Sequence, residues 1–412
     1  MTMLGKWRAT APCAGGMGLE EAQAILRSQA EPLGTEQVPL GNAGFRVLAE
    51  PLFARIDSPR ETVAAMDGFA VSESAVQAGC LTFTLAGASY PGGEAPALTD
   101  QTTAVRVTTG APVPAGKQRV IPFELVEETS STIRLAGPLP RQPHIRLKAS
   151  GFERGRPVLP QGTLLSPAKL LVAAASDNGD VLVHRRPRVR VVTNGSELVA
   201  AGLAAETGNR VPDSLSLPLL FMARQWGAEA IGGMLCPDFA GAIRKATLAA
   251  IEDCDVLVIA GGASNGERDL ARPVLHSLGL VPLFAGVSIK PGKPVWYGRV
   301  GGVHVLGLPG NPAAAMTIAR LFLAPLLSVL SGRPFHAALD WRERPLGAAV
   351  EAADPSRDMA LFGHRSADAG IAILPRQSAS AQLPLADEEY LVLRPAGSPA
   401  LPIGAPVPVL DL

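Results

Sequence analysis

A turn rich in glycine and proline, residues 307–314, constrains the fold of this chain more than any other segment. It follows the apolar run 303–306 and precedes a helix-forming stretch, so the sequence predicts a strand, a turn and a helix. Asn311 suits the N-cap position, where its side chain accepts from a free backbone N–H group, and Pro312 suits the first helical position. The remaining free N–H groups would attract a phosphate or another oxyanion. A well-capped turn that binds nothing is the alternative, which this motif alone favours.

A second turn of the same kind, residues 261–269, follows the short apolar run 255–260. Its glycines would let the backbone approach a ligand closely. Asp269 stands where the next helix begins, so its carboxylate could cap that helix or bind a divalent cation. Between the two turns, the Lys-Pro-Gly-Lys-Pro run predicts a tight turn that brings Lys290 and Lys293 towards one place. Each motif is weak in isolation.

The segment that contains these turns alternates between strand and helix patterns. The predicted strands include 188–193, 228–235 and 255–260, and the predicted helices are 214–226 and 239–251. Five strands with helical crossovers predict a doubly wound, mostly parallel sheet. All three motifs would then lie at strand ends, where open parallel sheets bind ligands. The first strand ends in a further glycine turn that carries Glu197, for which a solvated loop acid is the alternative.

The rest of the chain predicts a multidomain protein of α/β plus β class. Short strand patterns with glycine and proline turns indicate a β-rich insertion domain, which helix-like segments flank on both sides. Strand patterns near the C-terminus predict a small β-barrel or sandwich. The predicted division is a discontinuous N-terminal domain (1–51 with 145–184), the insertion domain (52–144), the α/β domain (185–334) and the C-terminal β domain (335–412).

Composition argues against several classes of protein. Lysine plus arginine and aspartate plus glutamate number 37 each, so no net charge draws the chain to nucleic acid or to an anionic membrane. The four cysteines form no Cys-x-x-Cys pair, which argues against zinc ligation and a disulfide framework. No signal peptide is evident, and the apolar stretch 318–330 is shorter than the roughly 20 residues of a membrane span. We therefore expect a cytoplasmic protein without a membrane span.

Six motifs occur together in one order and spacing. They are Ala65-Met66-Asp67-Gly68-Phe69-Ala70, Thr109-Gly110-Ala111-Pro112-Val113-Pro114, Gly195-x-Glu197-Leu198, Gly261-Gly262-x-Ser264-x-Gly266-Glu267-x-Asp269, Lys290-Pro291-Gly292-Lys293-Pro294 and Leu308-Pro309-Gly310-Asn311-Pro312. With this set the chain resembles the molybdopterin molybdenumtransferases, the family of MoeA and the gephyrin E domain. The resemblance covers roughly residues 18–335 and the C-terminal part only loosely. It implies a MogA-like α/β/α domain, the discontinuous N-terminal domain and a homodimer.

The resemblance implies a molybdenum insertase. Such an enzyme binds adenylylated molybdopterin and molybdate, places the metal on the pterin dithiolate, and releases AMP in a step that needs Mg²⁺. The implied partners are a molybdopterin adenylyltransferase and recipient molybdoenzymes. The implied residues are Asp67, Glu197, Asp269, Lys290 and Lys293 for the reaction, Thr193, Gly195, Gly261, Gly262, Ser264, Gly266, Pro309, Gly310 and Asn311 for cofactor binding, and Asp269, Asp238 and Glu197 for the metal.

Physical chemistry is consistent with these roles. Glycine turns would hold phosphates, lysines would offset their charge, and carboxylates would bind Mg²⁺. By resemblance, Asp67 faces the substrate from a different domain, across a dimer. Each residue also has a structural alternative: Lys290 and Lys293 as surface turn lysines, Asp238 as the cap of the helix that follows it, and Asp67 as a residue that stabilises its own turn.

The chain departs from the family pattern at active-site positions. Residues 146–151 read Arg-Leu-Lys-Ala-Ser-Gly where the family shows Gly-Glu-Asp after an arginine, so two carboxylates are missing unless Glu153 takes one role. Ser196 replaces the usual aspartate, Leu215 an asparagine, and Gly286 a basic residue. Two hypotheses therefore stand: an active insertase, and a weakened paralogue that carries molybdopterin or its finished cofactor. Hydrolysis of another nucleotide diphosphate is a third. We adopt the insertase as the working hypothesis.

Overall fold

The structure of the protein, a computed structural model, describes residues 16–97, 100–262, 270–366, 370–375 and 377–412. Contacts between residues group them into two compact units. The larger unit contains the described residues up to Glu36, residues 45–47, and those from His184 onward. The smaller unit contains residues 37–44 and 48–183. The division into four domains stays a prediction.

The α-helices of the described residues are short to medium in length. They are α1 (Leu19–Gln29), α2 (Glu73–Gln77), α3 (Pro167–Ala175), α4 (Ser216–Gln225), α5 (Ala240–Ile251), α6 (Ala271–Ser277), α7 (Pro312–Ile318) and α8 (Ala324–Leu330). Short 3-10 turns lie at Leu40–Asn42, Phe123–Leu125, Ala204–Glu206, Phe335–Ala338 and Leu383–Ala386.

Short strands dominate the chain up to His184. They are β1 (Thr35–Pro39), β2 (Leu52–Phe53), β3 (Val63–Ala64), β4 (Gly68–Val71), β5 (Thr82–Ser89), β6 (Thr103–Val107), β7 (Arg119–Pro122), β8 (Val126–Glu128), β9 (Thr132–Leu135), β10 (Ile145–Arg146), β11 (Pro157–Leu159) and β12 (Asp180–His184). The main sheet of the smaller unit has six strands in the order β7-β4-β6-β5-β9-β8. Gly68 is required in β4, because a side chain there would overlap the carbonyl oxygen of Ile121 in β7. Residues 52–144, for which short strands were predicted, contain β2 to β9.

The larger unit contains a mixed sheet. The strands between Arg188 and Leu308 are β13 (Arg188–Asn194), β14 (Leu198–Val199), β15 (Val211–Pro212), β16 (Glu229–Cys236), β17 (Val256–Ala260), β18 (Leu280–Ala285), β19 (Ile289–Lys290), β20 (Trp296–Val300) and β21 (Val303–Leu308). Six of these strands form the mixed sheet, in the order β16-β13-β17-β21-β20-β18. The first four run parallel, whereas β20 and β18 pair antiparallel at one edge. The mostly parallel sheet was predicted, but with five strands and without this antiparallel edge.

Alternate residues of the central strands face opposite layers of helices, as strand geometry requires. Val191 and Val258 share one core cluster with residues of α1, α4 and α7, whereas Val192 and Leu257 share another with α5 and α6. Helix α1 packs on the α/β core. Its apolar stripe, which includes Leu19, is buried there, whereas residues 1–51 were predicted to belong to a discontinuous N-terminal domain. A stripe at helical spacing needs an apolar partner, and the α/β core supplies one.

The long apolar stretch lies in a buried helical segment. A π-helical segment, Ala319–Leu323, joins α7 to α8. Pro312–Leu330 is the one helix within the described ranges long and apolar enough to suit a membrane span, but 89% of it is buried inside the protein. Arg320 donates hydrogen bonds to the carbonyl oxygens of Asp411 (2.9 Å) and Ala338 (2.6 Å). Burial lowers the pKa of Arg320 to about 10.

A second six-stranded sheet occupies the C-terminal part of the larger unit. It adds β22 (Arg342–Pro345), β23 (Asp358–Arg365), β24 (Ile371–Ile373), β25 (Tyr390–Arg394) and β26 (Pro406–Asp411). The order is β19-β23-β25-β26-β22, with β24 on β23. Among the residues that the structure describes, these pairings do not close into a ring, so they do not establish the predicted barrel. The sheet includes β19, so the segment of Lys290 pairs with C-terminal strand β23.

Ion pairs stabilise the amino edge of the α/β sheet. The carboxylate of Asp255 accepts two bonds from the Arg185 guanidinium (2.9 and 2.8 Å) and one from the backbone N–H of Arg188 (2.7 Å). Burial alone would raise the pKa of Asp255, but these hydrogen bonds outweigh it and the net shift is downward. The stabilisation is therefore fully present above the unfolded pKa of about 3.9 and is lost as pH falls through the lower folded value.

We expect Asp255→Asn to lower the free energy of unfolding at pH 7 by about 1 kcal/mol, since solvent screens a pair that is only half-buried. At pH 3 the difference from wild type should shrink. Urea unfolding at both pH values measures this. Asp340→Asn, which breaks an exposed pair with Arg342, is the control and should change little. An undiminished Asp255→Asn effect at pH 3 would contradict the electrostatic account.

Candidate functional site

Three glycine turns leave the α/β sheet at its carboxyl edge. The neighbouring parallel strands β13, β17 and β21 end at Asn194, Ala260 and Leu308. Ala260 is in register with Thr193 on one side and with Leu308 on the other. The turns after the three strands therefore emerge side by side, which is the arrangement predicted from the sequence and the usual ligand-binding position of such sheets.

Glycine is required in these turns because they pack closely. Gly261 and Gly262 adopt φ values of +93° and +61°. A Cβ atom on Gly261 would overlap the carbonyl oxygen of Asn194, and one on Gly262 would lie 3.0 Å from the Asn194 Nδ2 atom. A Cβ atom on Gly310 would lie 3.4 Å from the Cα of Gly261. The turns of β17 and β21 therefore contact each other directly.

The start of α7 differs from the prediction in one respect. Pro312 occupies the first turn, but the side chain of Asn311 makes no capping hydrogen bond. The N–H groups of Ala313 and Ala314 both donate to the carbonyl oxygen of Ala379, at 3.1 and 3.3 Å. The prediction that these N–H groups are free is therefore wrong. Gly310 and Asn311 remain exposed and Pro309 is buried.

Thr193 is used inside the protein. Its side chain is 1% exposed, and its Oγ1 donates to Asp213 (3.1 Å) and contacts the Ser216 hydroxyl (3.0 Å). Asp213 also accepts from the N–H groups of Leu215 and Ser216 at the start of α4. Thr193 therefore holds α4 with its side chain rather than presenting that side chain at the edge, and its role in cofactor binding stays a prediction. Asp213 was missed, although an aspartate just before a helix is a recognisable cap signal.

Asp238 fixes the turn that follows β13. The Ser196 N–H donates to Asp238 Oδ2 (2.9 Å), and the Asp238 N–H donates to the Ser196 hydroxyl (2.9 Å). The N-cap of α5 is Phe239, and no side chain caps it, so Asp238 does not cap that helix. This reciprocal pair explains the serine, because an aspartate at 196 would place two carboxylates together. The Arg210 guanidinium donates to the Ser196 carbonyl oxygen.

Glu197 and Asp238 bring two carboxylates to the same turn. The Glu197 Oε1 atom would lie 2.9 Å from a Cβ atom on Gly195, while Asp238 is bonded to the next residue, Ser196. Ser264, Gly266 and Asp269 fall outside the described residues. Within the described ranges, no group of three or more histidine, cysteine, aspartate and glutamate residues could hold a metal. Two carboxylates still fit Mg²⁺, which usually keeps several waters and binds substrate phosphates.

Lys290 and Lys293 belong to a loop at the same edge. The loop joins β18 to β20, and Trp296, the first residue of β20, pairs with Gly307 near the end of β21. Both lysines are exposed, and neither ammonium group pairs with a residue that the structure describes. Gly292, at φ +117°, packs against Ile318, so the loop is anchored on the buried helix. Two unpaired cations on an anchored loop suit an anionic ligand.

Asp67 lies in the smaller unit, between β3 and β4. Its Oδ1 accepts from the backbone N–H of Thr109 (2.7 Å) and from the Thr109 hydroxyl (2.8 Å). These bonds, the backbone one first, lower the pKa of the exposed Asp67 carboxyl. Asp67 therefore stabilises the turn that begins at Thr109. Because both bonds use Oδ1, this structural role leaves Oδ2 available for a ligand.

Asn194, the last residue of β13, was not predicted as a site residue. It is 6% exposed, yet neither its Oδ1 nor its Nδ2 has a hydrogen-bond partner among the described residues. The sequence signal that could have identified it is an asparagine between a buried strand and a glycine turn. The burial of its amide could not be predicted, because it results from the packing of Gly261 and Gly262 against Asn194.

Comparison with known proteins identifies related sequences. The chain matches the MoeA N-terminal region (domains I and II) over residues 17–176 and a probable molybdopterin binding domain over residues 190–329. The molybdopterin molybdenumtransferase of Haemophilus influenzae is 32% identical over 335 residues, 81% of each chain. The one of Synechococcus elongatus is 30% identical over 394 residues, 92% of this chain and 95% of the relative.

Solved structures resemble this one over nearly their full length. A molybdopterin biosynthesis MoeA protein from Pyrococcus horikosii is 26% identical, with a TM-score of 0.78 and coverage of 96% of this chain and 99% of that one. A second such structure, at 22% identity, has a TM-score of 0.81 and supports the fold. Together with the glycine turns of the sheet edge, these matches show that the chain belongs to the molybdopterin molybdenumtransferase (MoeA) family.

Proposed function

We propose that this protein is a molybdenum insertase that binds adenylylated molybdopterin and molybdate, transfers molybdenum to the pterin dithiolate and releases AMP. The names of its relatives support the proposal. The observation that carries it is the carboxyl edge of the α/β sheet, where packed glycine turns occur with two carboxylates and a loop bearing two lysines that pair with no described residue. Such an edge suits a ligand rich in phosphate.

The chemistry balances with these substrates alone. Two Mo–S bonds form as the thiol protons leave with one molybdate oxygen as water, and a second water cleaves the phosphoanhydride to release AMP. Lys290 and Lys293 would offset charge on the phosphoanhydride, and the glycine turns would orient it. Glu197 and Asp238 would hold Mg²⁺, together with Asp269. When bound, Mg²⁺ would neutralise charge on the phosphate oxygens.

The carrier hypothesis remains the second candidate because of the residues missing from 146–151. The segment is not without a carboxylate, however. Asp57 accepts from the Arg154 N–H (2.8 Å) and lies 3.4 Å from the Lys148 Nζ. The hydrogen bond from the Arg154 N–H and the neighbouring Lys148 ammonium lower the pKa of Asp57. The segment therefore has one ionised carboxylate beside it, which is compatible with both the enzyme and the carrier.

Incubation of the purified protein with adenylylated molybdopterin, molybdate and Mg²⁺, with AMP followed by chromatography, tests the proposal. We expect AMP release that stops when molybdate or Mg²⁺ is omitted. Tight binding of the pterin nucleotide without AMP release would support the carrier instead.

Asp67 is proposed to act in the transfer step. We expect Asp67→Ala to retain pterin-nucleotide affinity while slowing molybdenum insertion, because only an interaction realised in the reaction changes the rate without changing binding. Thr109→Ala, which removes one partner of Asp67 but keeps its charge, is the matched control and should insert at nearly the wild-type rate. Equal rates for Asp67→Ala and wild type, at matched folded protein, would leave Asp67 with its turn role only.

We further propose a cytoplasmic homodimer that receives its substrate from a molybdopterin adenylyltransferase and delivers its product to molybdoenzymes. The three cysteines of the described residues are all free thiols, as a reducing compartment permits. Burial raises the pKa of the Cys254 thiol to about 12, so that residue is protected from oxidation.

A further inference from the structure

Asn194 is a buried polar side chain whose surroundings do not satisfy it. Neither amide atom has a partner among the described residues, although the backbone beside it is fully used: the Gly195 N–H donates to the Cys236 carbonyl oxygen at 2.9 Å. A buried amide without partners costs free energy. Such a group in a folded protein needs an explanation other than stability.

Asn178 shows how this chain treats a structural asparagine. It is equally buried, at 6% exposure. Its Nδ2 donates to the carbonyl oxygen of Phe53 (3.0 Å) and to the hydroxyl of Ser176 (3.0 Å). The fold therefore supplies partners for the amide of Asn178, whereas among the described residues it supplies none for the amide of Asn194.

The position of Asn194 in the sheet is one at which a ligand would bind. It lies at the carboxyl edge between the turn of Gly195 and the turn of Gly261 and Gly262. A Cβ atom on Gly262 would lie 3.0 Å from Asn194 Nδ2, so the absence of a side chain there leaves room beside the amide. Contact with a molecule bound at this edge would require a rotation about the Asn194 Cα–Cβ bond or a small shift of the two glycines.

The amide itself restricts the class of ligand. Nδ2 needs an acceptor and Oδ1 needs a donor. A phosphate offers acceptors only, so it would satisfy Nδ2 and leave Oδ1 unpaired. A heterocycle edge with a donor next to an acceptor satisfies both, as asparagine does with the N6 and N7 of adenine. The lactam edge of a pterin has the same pattern.

We propose that Asn194 is a specificity-determining residue that pairs with the donor–acceptor edge of a heterocycle bound at this site. The proposal rests on the proposed function, in which the substrate carries both an adenine and a pterin. Asn194 thus selects the ring system, while Lys290 and Lys293 bind the phosphates. The amide without partners lowers the free energy of unfolding of the free protein, and it is retained because it recognises the ligand.

Calorimetric titrations of wild type and Asn194→Leu with AMP, neopterin and inorganic phosphate test this inference. Leucine has a similar shape but no polar atoms. We expect at least a tenfold loss of affinity for one heterocyclic compound, unchanged phosphate affinity and a higher unfolding temperature. Loss for AMP assigns the adenine edge, and loss for neopterin assigns the pterin edge. Thr247→Val removes a buried hydroxyl of α5 that has no hydrogen-bond partner among the residues that the structure describes. It should raise the unfolding temperature and leave all three affinities unchanged.

Two results would overturn the inference. Unchanged affinities for both AMP and neopterin in folded Asn194→Leu would show that the amide forms no hydrogen bonds with either heterocycle. An equal loss for inorganic phosphate would show that Asn194 only shapes the phosphate turn. If wild type still releases AMP in the insertion assay, only the role of Asn194 fails. If wild type binds neither heterocyclic compound, the proposed function fails with it.

Discussion

Gly307→Ala is expected to destabilise the protein by about 3 kcal/mol or more. Gly307 lies in β21 opposite Trp296 of β20, and the Trp296 side chain is 2% exposed. An added Cβ atom would overlap the indole ring itself. The ring is held within the core cluster of α5 and α6, so it cannot move aside at low cost. Urea unfolding measures the change.

Substitution of Trp296 tests whether the destabilisation by Gly307→Ala comes from the clash with the indole ring or from any change in strand β21. Trp296→Leu alone should destabilise by several kcal/mol, because it leaves a cavity. In the Gly307→Ala/Trp296→Leu double variant the two losses should not add, with a coupling of about 1 kcal/mol or more. Gly302→Ala, in the β20–β21 hairpin with no neighbour in reach, should stay within about 0.5 kcal/mol of wild type. An unchanged urea midpoint for Gly307→Ala would show that the indole does not occupy that space.

Lys293→Ala is expected to lower the affinity for adenylylated molybdopterin about tenfold or more, because a charge-assisted bond to phosphate contributes roughly 1.5 to 3 kcal/mol. The ammonium of Lys293 pairs with no described residue, so its removal should not destabilise the fold. The loss should decrease as salt rises, since salt screens an exposed charge. Calorimetry at two ionic strengths measures both effects.

Two controls define the role of this lysine. Lys293→Arg should retain most of the affinity, because the charge is kept. Lys245→Ala, which removes an exposed lysine of α5, should bind as wild type does. If Lys293→Ala also binds like wild type, Lys293 is a surface turn residue and the phosphate is held elsewhere.

The α/β core could be predicted because its strands are unusually clear in the sequence. Val256–Ala260 is apolar throughout, and Val303–Leu308 is apolar or glycine except for the buried His304, as is typical of strands covered on both faces. The antiparallel edge was harder, because β18 and β20 join through a loop that also forms β19. That strand pairs with β23, about seventy residues later. No local pattern indicates such a partner.

The position of the site at the carboxyl ends of the strands could be predicted, but the hydrogen bonds of its polar groups could not. Glycine turns at strand ends can be read from spacing, and Gly261 and Gly262 adopt the positive φ values that favour glycine. The use of the α7 N–H groups could not be predicted, because their acceptor, Ala379, is remote in sequence. The use of the Thr193 hydroxyl could not be predicted for a related reason: it is bonded to Asp213, twenty residues away. Hydrogen bonds between distant segments decide which polar groups remain for a ligand.

A single-turnover measurement tests the central claim most directly. Wild-type protein loaded with adenylylated molybdopterin is mixed with molybdate and Mg²⁺, and AMP release and pterin-bound molybdenum are quantified on the same samples. The insertase account predicts that the two rise together, one molybdenum for each AMP, and that both slow in Asp67→Ala without loss of bound pterin nucleotide. Pterin nucleotide that stays bound and intact, with no AMP released and no molybdenum transferred, would contradict it.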